Sequence, residues 1–334
     1  MIVFGKATSK PLPFENKSLV SSSMAKISNT TSGRTASRLD LMDPYTLSQL
    51  GGMEWIAKRV VEGFIMGLHR SPHRGFSAEF AELRAYQPGD DIRHVDWRMF
   101  ARSDRYYVKQ FEEETNLRAH VLMDISSSMS WSSEPKTLPT KIWYAQHLAA
   151  CISLLLLRQG DSIGLTTFHE SVVNRIDPKG GQSYWKKFLK HLIASKPQGK
   201  TSVVSALSDV ASRLNRKGLV ILISDLLVDP EETRKILRSL KHQGHEVLVF
   251  HLIDPGEREL PATGDTLLFD PETKQELNVN IADIRVAYRE AVEEALGEWY
   301  RGLTPFDIDY VTIGTESSLS KSLRFYLNKR SRLG

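Results

Sequence analysis

Asp124, Ser126 and Ser128 lie at alternate positions directly after an apolar run that ends at Met123. Such a run is typical of a buried strand, and the carboxyl end of a parallel strand opens onto the crevice in which α/β sheets bind ligands. Small hard cations prefer oxygen ligands, whereas zinc favours nitrogen and sulfur. The spacing therefore predicts a site for Mg²⁺ or Mn²⁺.

Two further oxygen donors follow along the chain. Asp225 comes directly after the apolar run Leu219–Ser224, which predicts a second buried strand. Thr201 lies after Gly199 and Lys200 and before a predicted helix. The alternative is that Asp124 and Asp225 cap the helices that follow them, a role that Asp fills well.

The order and spacing of Asp124, Ser126, Ser128, Thr201 and Asp225 resemble the metal-ion-dependent adhesion site of von Willebrand factor A domains. The resemblance implies that the hydroxyls bind the ion directly and that the aspartates bind it directly or through water. It also implies one open coordination position for a carboxylate from a partner protein.

A second signature lies nearer the N-terminus. It comprises Gly67, His69, Ser71, Gly75, Glu79, Phe80, Arg84, Tyr86, the run Gly89-Asp90-Asp91-Ile92-Arg93-His94-Val95-Asp96-Trp97, and Ala101-Arg102. With the Asp124 motif, it resembles the bacterial and archaeal family catalogued as domain of unknown function 58. That family carries a Gly-Asp-x-x-Arg-x-Ile-Asp-Trp element ahead of an A-domain metal motif, and Val95 takes the Ile position here. The resemblance spans residues 60 to 330. Many members have a pair of N-terminal transmembrane helices that this sequence does not predict.

The segment from Asp90 to Arg102 alternates acidic and basic side chains. Because neighbouring opposite charges can pair with one another, we expect a structural role for this segment rather than a second binding site. His94 and Asp96 have side chains of the types that ligate metals, but a lone His-x-Asp pattern is too common to predict a site.

The hydrophobic pattern from residue 118 onwards predicts an α/β fold with a mostly parallel central sheet flanked by helices. The resemblance implies that this fold is von Willebrand factor A-like, with a small N-terminal α+β module ahead of it. Predicted strands cover residues 119–123, 162–168, 219–224, 246–252 and 308–313. Predicted helices cover residues 141–158, 183–195, 203–215, 231–242, 284–300 and 317–328, and a small hairpin is expected over 265–280.

Composition divides the chain into three predicted parts. Residues 1–38 are rich in Ser, Thr, Asn and Lys, which predicts a flexible tail. Residues 39–117 are expected to form a small helical and β module, and residues 118–330 the A-like domain. The tail holds six Lys or Arg and one Glu, so the rest of a chain with net charge +4 is nearly neutral and gives no reason to expect nucleic acid binding.

The only cysteine, Cys151, lies in the apolar run 148–157. A single cysteine allows no intrachain disulfide, which favours a reducing compartment. The run is far shorter than the ~20 residues that span a bilayer, and no secretory signal is recognised. We expect a cytoplasmic protein without a membrane span.

The resemblance implies a non-enzymatic adaptor that grips an acidic residue of a partner through its bound ion. It points to a MoxR-type AAA+ ATPase as the partner, in the maturation or remodelling of client proteins. Two alternatives stay open. Residues 194–201 fit a relaxed Walker A pattern of a P-loop nucleotide hydrolase, although a predicted helix rather than a strand precedes them. A metal-dependent phosphatase or nuclease would use Asp124, but Ser126 occupies the position of the second acid.

Overall fold

The structure is a computed structural model that describes residues 44–50, 52–69, 83–87, 95, 97–109, 117–199, 203–214, 217–260, 264–269 and 276–330. The helices are α1 (Pro44–Leu50), α2 (Met53–His69), α3 (Trp97–Ser103), α4 (Lys141–Arg158), α5 (Gln182–Ala194), α6 (Val203–Arg213), α7 (Pro230–His242), α8 (Pro255–Glu259), α9 (Ile281–Leu303) and α10 (Leu319–Arg330). The strands are β1 (Leu83–Ala85), β2 (Tyr107–Lys109), β3 (Arg118–Asp124), β4 (Ser162–Phe168), β5 (Val172–Lys179), β6 (Leu219–Ser224), β7 (Glu246–Ile253), β8 (Asp265–Phe269), β9 (Glu276–Asn280) and β10 (Asp309–Gly314).

A six-stranded sheet with the order β10-β7-β6-β3-β4-β5 forms the centre of the molecule. Its strands pair in parallel except for β5, which runs antiparallel to β4. Strand β6 is buried along its whole length, and β3 and β7 are buried beyond their first residue, as expected for parallel strands covered on both faces. The predicted α/β fold class is confirmed.

Two apolar layers cover the sheet. Helices α2, α4, α5 and α10 pack on one face, and α6, α7 and α9 pack on the other. Helix α4 is apolar on nearly all sides, because α2 lies against the side that faces away from the sheet. Cys151 is fully buried within α4, as its apolar surroundings predict.

Strand β5 was not predicted from the sequence. Apart from the buried Ile176, its residues are half-buried or exposed, it contains Pro178, and its pairing with β4 includes irregular register. Each of these features is typical of an edge strand and weakens the pattern by which a strand is recognised. The predicted small hairpin does form from the antiparallel strands β8 and β9.

Helix α2 contributes Ile56 and Val60 to the same apolar layer as α4. Strands β1 and β2 form a separate antiparallel pair.

The predicted tail, residues 1–38, lies outside the described residues, as does most of the charged segment from Asp90 to Asp96. The predicted domain boundaries stay predictions. In the part of the chain that the structure describes, no helix has both the length and the apolar character needed to cross a membrane.

The strand order reverses at β3. The chain passes from β3 to β4 on one side, and later enters β6 on the other side of β3. The carboxyl ends of strands at such a reversal border the crevice in which α/β proteins bind ligands.

Candidate metal centre

The carboxyl ends of β3 and β6 bring two of the predicted metal ligands together. These strands are adjacent and in register up to Met123 and Ile223, so Asp124 lies beside Ser224, and Asp225 follows at once. The side chains of Asp124, Ser126, Ser128 and Asp225 are all buried.

Asp124 accepts hydrogen bonds from two groups. The main-chain N–H of Ser126 donates to Asp124 Oδ1 at 2.8 Å, and Ser224 Oγ donates to Oδ2 at 2.6 Å. The N–H of Leu226 donates to Ser224 Oγ at 3.0 Å, which fixes that hydroxyl in turn. Burial, and then the nearby negative charge of Asp225, raise the pKa of Asp124 to about 7, against the lowering effect of these hydrogen bonds.

The two serines of the motif face each other. Ser126 is the N-cap residue of the 3₁₀ turn Ser127–Ser130, but its hydroxyl makes no capping hydrogen bond. Ser126 Oγ lies 2.9 Å from Ser128 Oγ instead. Each hydroxyl therefore keeps lone pairs that main-chain groups do not use, as a metal ligand requires.

Asp225 does not cap the helix that follows. Helix α7 begins at Pro230 and Asp229 is its N-cap, with its side chain accepting from the N–H of Glu232 at 3.0 Å. Leu226 adopts φ of 50° in the left-handed region, a strain on the order of 1–3 kcal/mol for a residue with a side chain. The capping alternative thus does not hold for Asp225, and the strained turn directs its carboxylate into the crevice.

Only one oxygen of Asp225 is satisfied. Its Oδ2 accepts from Lys141 Nζ at 2.7 Å, whereas Oδ1 is buried and has no hydrogen-bond partner among the residues that the structure describes. A buried carboxylate oxygen without a donor is costly. It marks a position that a cation could stabilise.

Lys141 is the first residue of α4, and its side chain is completely buried. It forms ion pairs with Asp225 and with Glu257, a residue of α8. Burial alone would lower the pKa of Lys141, but the two carboxylates raise it overall, so the side chain is a cation at neutral pH. For Glu257, burial raises the pKa, and Lys141 opposes that effect.

The segment before Thr201 approaches the serine loop. The N–H of Gln198 donates to the carbonyl of Ile125 at 2.8 Å, and the N–H of Ser127 donates to the carbonyl of Gly199 at 3.0 Å. Gly199 has φ of 69°, and a Cβ there would lie 3.0 Å from His169 Nδ1, so glycine suits this turn. Thr201 and Lys200 lie outside the described residues, and the position of the Thr201 side chain stays a prediction.

Helix α5 ends at Ala194, just before the segment that fits a Walker A pattern. A P-loop joins a strand to the helix that follows. The preceding element is therefore the helix that the sequence predicts, and the context differs from that of a P-loop.

The residues present fit a divalent cation in charge and in donor type. Two buried acids, Asp124 and Asp225, and the partly buried Glu257 lie near one buried ammonium group, that of Lys141. No group of three His, Cys, Asp or Glu side chains capable of holding a metal is found among the described residues. An ion at this edge would therefore depend on serine hydroxyls as well as carboxylates, which is the donor set of hard cations.

Three residues of this centre were missed by the sequence reasoning: Ser224, Lys141 and Glu257. Ser224 had a recognisable signal, because it ends the strand that precedes Asp225. Lys141 and Glu257 had no such signal in the sequence. They lie 84 and 32 residues from Asp225 along the chain, and they come near it only through the packing of α4 and α8.

Comparison with solved structures gives likenesses of low sequence identity. The conserved hypothetical protein BatB from Bacteroides thetaiotaomicron is 14% identical, with a TM-score of 0.42, and the match covers 65% of this chain and 99% of that one. The SpRpn10 VWA domain is 12% identical, with a TM-score of 0.38, and the match covers 63% of this chain and 94% of that one.

Sequence relatives are closer. An uncharacterized protein of Mycobacterium tuberculosis is 30% identical over 243 residues, which is 71% of this chain and 74% of the relative. The uncharacterized protein YeaD of Bacillus subtilis is 28% identical over 120 residues, or 36% of this chain and 27% of the relative. Residues 82–296 match the family described as "Protein of unknown function DUF58". The chain belongs to the DUF58 family.

Proposed function

We propose that this protein is a non-enzymatic adaptor that binds a partner protein through a divalent metal ion, Mg²⁺ or Mn²⁺. The residues that would hold the ion are Asp124, Ser126, Ser128, Thr201 and Asp225. The observation that carries the proposal is the buried Oδ1 of Asp225, which has no hydrogen-bond partner in a crevice that also contains Asp124 and a pair of facing serine hydroxyls.

Electrostatics supports an ion at this edge. The charge of Asp225 contributes to the raised pKa of Asp124, which means that the two carboxylates repel each other when both are ionised. Lys141 relieves this repulsion from one side only, because it contacts Asp225 Oδ2 and Glu257. A divalent cation would stabilise the ionised form of Asp124 and compensate the charge on the remaining oxygen of Asp225.

The ion would supply a Lewis-acidic contact for an acidic side chain of the partner. The four proposed donors that the structure describes are buried, but the residues around them are more exposed: Ser127 and Leu227 are half-buried, and Ser130 is exposed. A partner Asp or Glu would approach over this rim. The contact would be strong because it is charge-assisted and partly desolvated, and it would be reversible because it depends on occupancy by the ion.

The partner that we propose is a MoxR-type AAA+ ATPase, with client proteins that the pair matures or remodels in the cytoplasm. This part of the proposal derives from the family resemblance of the two sequence signatures. The near-neutral body of the chain is consistent with a protein partner rather than nucleic acid.

Calorimetric titration of Mg²⁺ and Mn²⁺ into the purified protein tests the metal site. We expect one binding event that is lost in the double variant Asp124→Ala, Ser126→Ala. The matched control is Ser130→Ala, because Ser130 belongs to the same turn but uses its hydroxyl on the carbonyl of Ser127. No binding by the wild type, or equal binding by the double variant and the control, would reject the site.

Pull-down of the ATPase encoded nearest to this protein, with and without EDTA, tests the adaptor role. We expect EDTA and Asp225→Asn each to weaken capture strongly. The matched control is Asp229→Asn, which removes the same charge from the same edge while keeping a side chain that caps α7. Capture that is indifferent to both EDTA and Asp225→Asn would show that this edge is not the interface.

A further inference from the structure

A basic cleft lies at the amino ends of the parallel strands, at the edge of the sheet opposite the candidate metal centre. We define it by six of the residues that line it: Arg118, His120, Arg175, Asp177, Arg213 and His245. They come from the start of β3, from β5, from the end of α6 and from the residue before β7. The cleft encloses about 400 Å³, which falls within the roughly 300–1,000 Å³ of small-molecule sites.

Positive charge exceeds negative charge among the lining residues. Arg118, Arg175 and Arg213 contribute three guanidinium groups, and Asp177 contributes the one carboxylate of the six residues. Arg213 also pairs at 2.7 Å with Asp209, whose other oxygen lies 3.6 Å from Arg175 Nη1. The cleft therefore favours an anion.

Arg175 is not fully satisfied by its neighbours. Its Nε donates to Asp177 Oδ1 at 3.3 Å, and its side chain is only 19% exposed. Its Nη1 is buried and makes no hydrogen bond. A guanidinium group offers several N–H donors in a fixed planar array that matches the oxygens of phosphate or carboxylate.

The two histidines of the cleft each keep one ring nitrogen without a partner. His120 Nε2 lies 2.7 Å from Thr166 Oγ1, and His120 Nδ1 is buried with no hydrogen bond. His245 bonds to the main chain of Leu214 and Gly218, which leaves its Nδ1 buried and unpaired. Because the bonded nitrogen of His245 donates to carbonyl oxygens, its Nδ1 is an acceptor and needs an O–H or N–H donor.

We propose that the basic cleft binds the phosphate group of a small phosphorylated molecule. Phosphate oxygens accept from the guanidinium groups of Arg175 and Arg213, and a phosphate or sugar hydroxyl donates to His245 Nδ1. The space beyond one phosphate group accommodates the rest of a phosphate ester. A fully deprotonated anion such as sulfate provides acceptors but no donor, so it satisfies the arginines and not the histidine.

The test is calorimetric titration of the full chain with inorganic phosphate, sulfate and ribose 5-phosphate, at constant ionic strength and in EDTA so that no metal ion takes part. Ribose alone is the control for the sugar. We expect saturable 1:1 binding of phosphate that is tighter than that of sulfate, and tighter binding still of ribose 5-phosphate if the natural ligand is an ester. Phosphate binding without a gain from ribose 5-phosphate assigns the site to free phosphate.

Arg175→Gln should weaken phosphate binding ~10-fold or more, because it removes a charge-assisted donor. Arg213→Gln, at a side chain that is 59% exposed, should also weaken it and does not threaten folding. The control is Arg301→Gln on α9, which removes the same charge from an exposed side chain away from the cleft. Absence of saturable binding, equal affinity for phosphate and sulfate, or an Arg213→Gln protein that binds as well as the Arg301→Gln protein would overturn the proposal.

Discussion

The two edges of the main sheet carry opposite chemistry on the same strands. Strand β3 begins with Arg118 and His120 beside the basic cleft, and ends with Asp124 in an acidic crevice. At the carboxyl edge the polar groups come from loops that follow adjacent strands. At the amino edge they come from strands and a helix end that are distant in sequence. Parallel strands would thus allow one sheet to present the proposed cation site and the proposed anion site at opposite ends without bringing the two into contact.

The edges also differ in how charge is compensated. At the carboxyl edge, Lys141 is fully buried and contacts two carboxylates directly. At the amino edge, Arg118 is exposed, and water can solvate its charge. Loss of a buried ion-pair partner leaves uncompensated charge in a low-dielectric interior, whereas loss of an exposed charge has little effect.

The largest predicted effect follows from this difference. Lys141→Met should lower the free energy of unfolding by about 3–5 kcal/mol, because the buried Asp225 and the partly buried Glu257 lose their cation. Arg118→Met, the matched change at the other edge, should cost less than about 1 kcal/mol. Urea unfolding at pH 7.5 in EDTA measures both values.

The comparison would fail if the two variants had similar stability. Mg²⁺ sharpens the test, because an ion at the carboxyl edge stabilises the folded state by mass action. We expect Mg²⁺ to raise the stability of the Lys141→Met protein more than that of the Arg118→Met protein, since the former has more unpaired negative charge beside the proposed site.

The sequence predicted the carboxyl edge well because its determinants are local. Asp124 and Asp225 each follow an unbroken apolar run, and the structure places both at the ends of adjacent buried strands. Predicted and observed helix bounds differ by a few residues in most cases, and α4 agrees at both ends. Long apolar patterns flanked by polar residues report secondary structure without knowledge of the tertiary fold.

The amino edge was not predicted, because its determinants are not local. Arg175 lies on β5, whose mostly exposed residues and Pro178 conceal the strand in the sequence. Arg213 ends α6 and His245 precedes β7, so both reach the cleft only through the packing of α6 and the pairing of β7 with β6. The burial of Lys141 was missed for the same reason, since a lysine at the start of a helix is ordinarily exposed.

A smaller effect is expected from His120 at the amino edge. Burial, and then the positive charge of Arg175, lower the pKa of His120 from 6.5 to about 4, although the negative charge of Asp177 acts in the opposite direction. Between these two values the unfolded chain binds a proton that the folded protein does not, so stability falls as the pH drops from 6.5 towards 4. At pH 5.5 this one group should reduce stability by about 1.4 kcal/mol relative to pH 7.5.

Urea unfolding of the wild type and of His120→Gln at pH 7.5 and 5.5 isolates that contribution. The other histidines that the structure describes as buried, His147, His245 and His251, also have lowered pKa values and titrate in both proteins, so they cancel in the comparison. The variant should lose less stability than the wild type on acidification. Equal losses would mean that His120 is protonated in the folded state.

The smallest predicted effect separates the metal site from the P-loop alternative. Thr201→Ala should weaken Mg²⁺ binding about 5-fold, which corresponds to the loss of one neutral polar contact worth about 1 kcal/mol. The reason is that the Thr201 hydroxyl belongs to the proposed set of metal ligands, whereas Lys200 does not. Lys200→Ala should leave Mg²⁺ binding unchanged.

In a P-loop protein the lysine contacts the nucleotide phosphates, and Lys200→Ala would be more damaging than Thr201→Ala. The carbonyl of Gly199, the last described residue before Lys200 and Thr201, accepts a hydrogen bond from the N–H of Ser127 in the serine loop. Calorimetric titration of the two variants with Mg²⁺, together with an assay for ATP hydrolysis, distinguishes the alternatives. ATP hydrolysis that depends on Lys200 would contradict the adaptor function. Mg²⁺ binding that is weakened by Thr201→Ala and not by Lys200→Ala would support it.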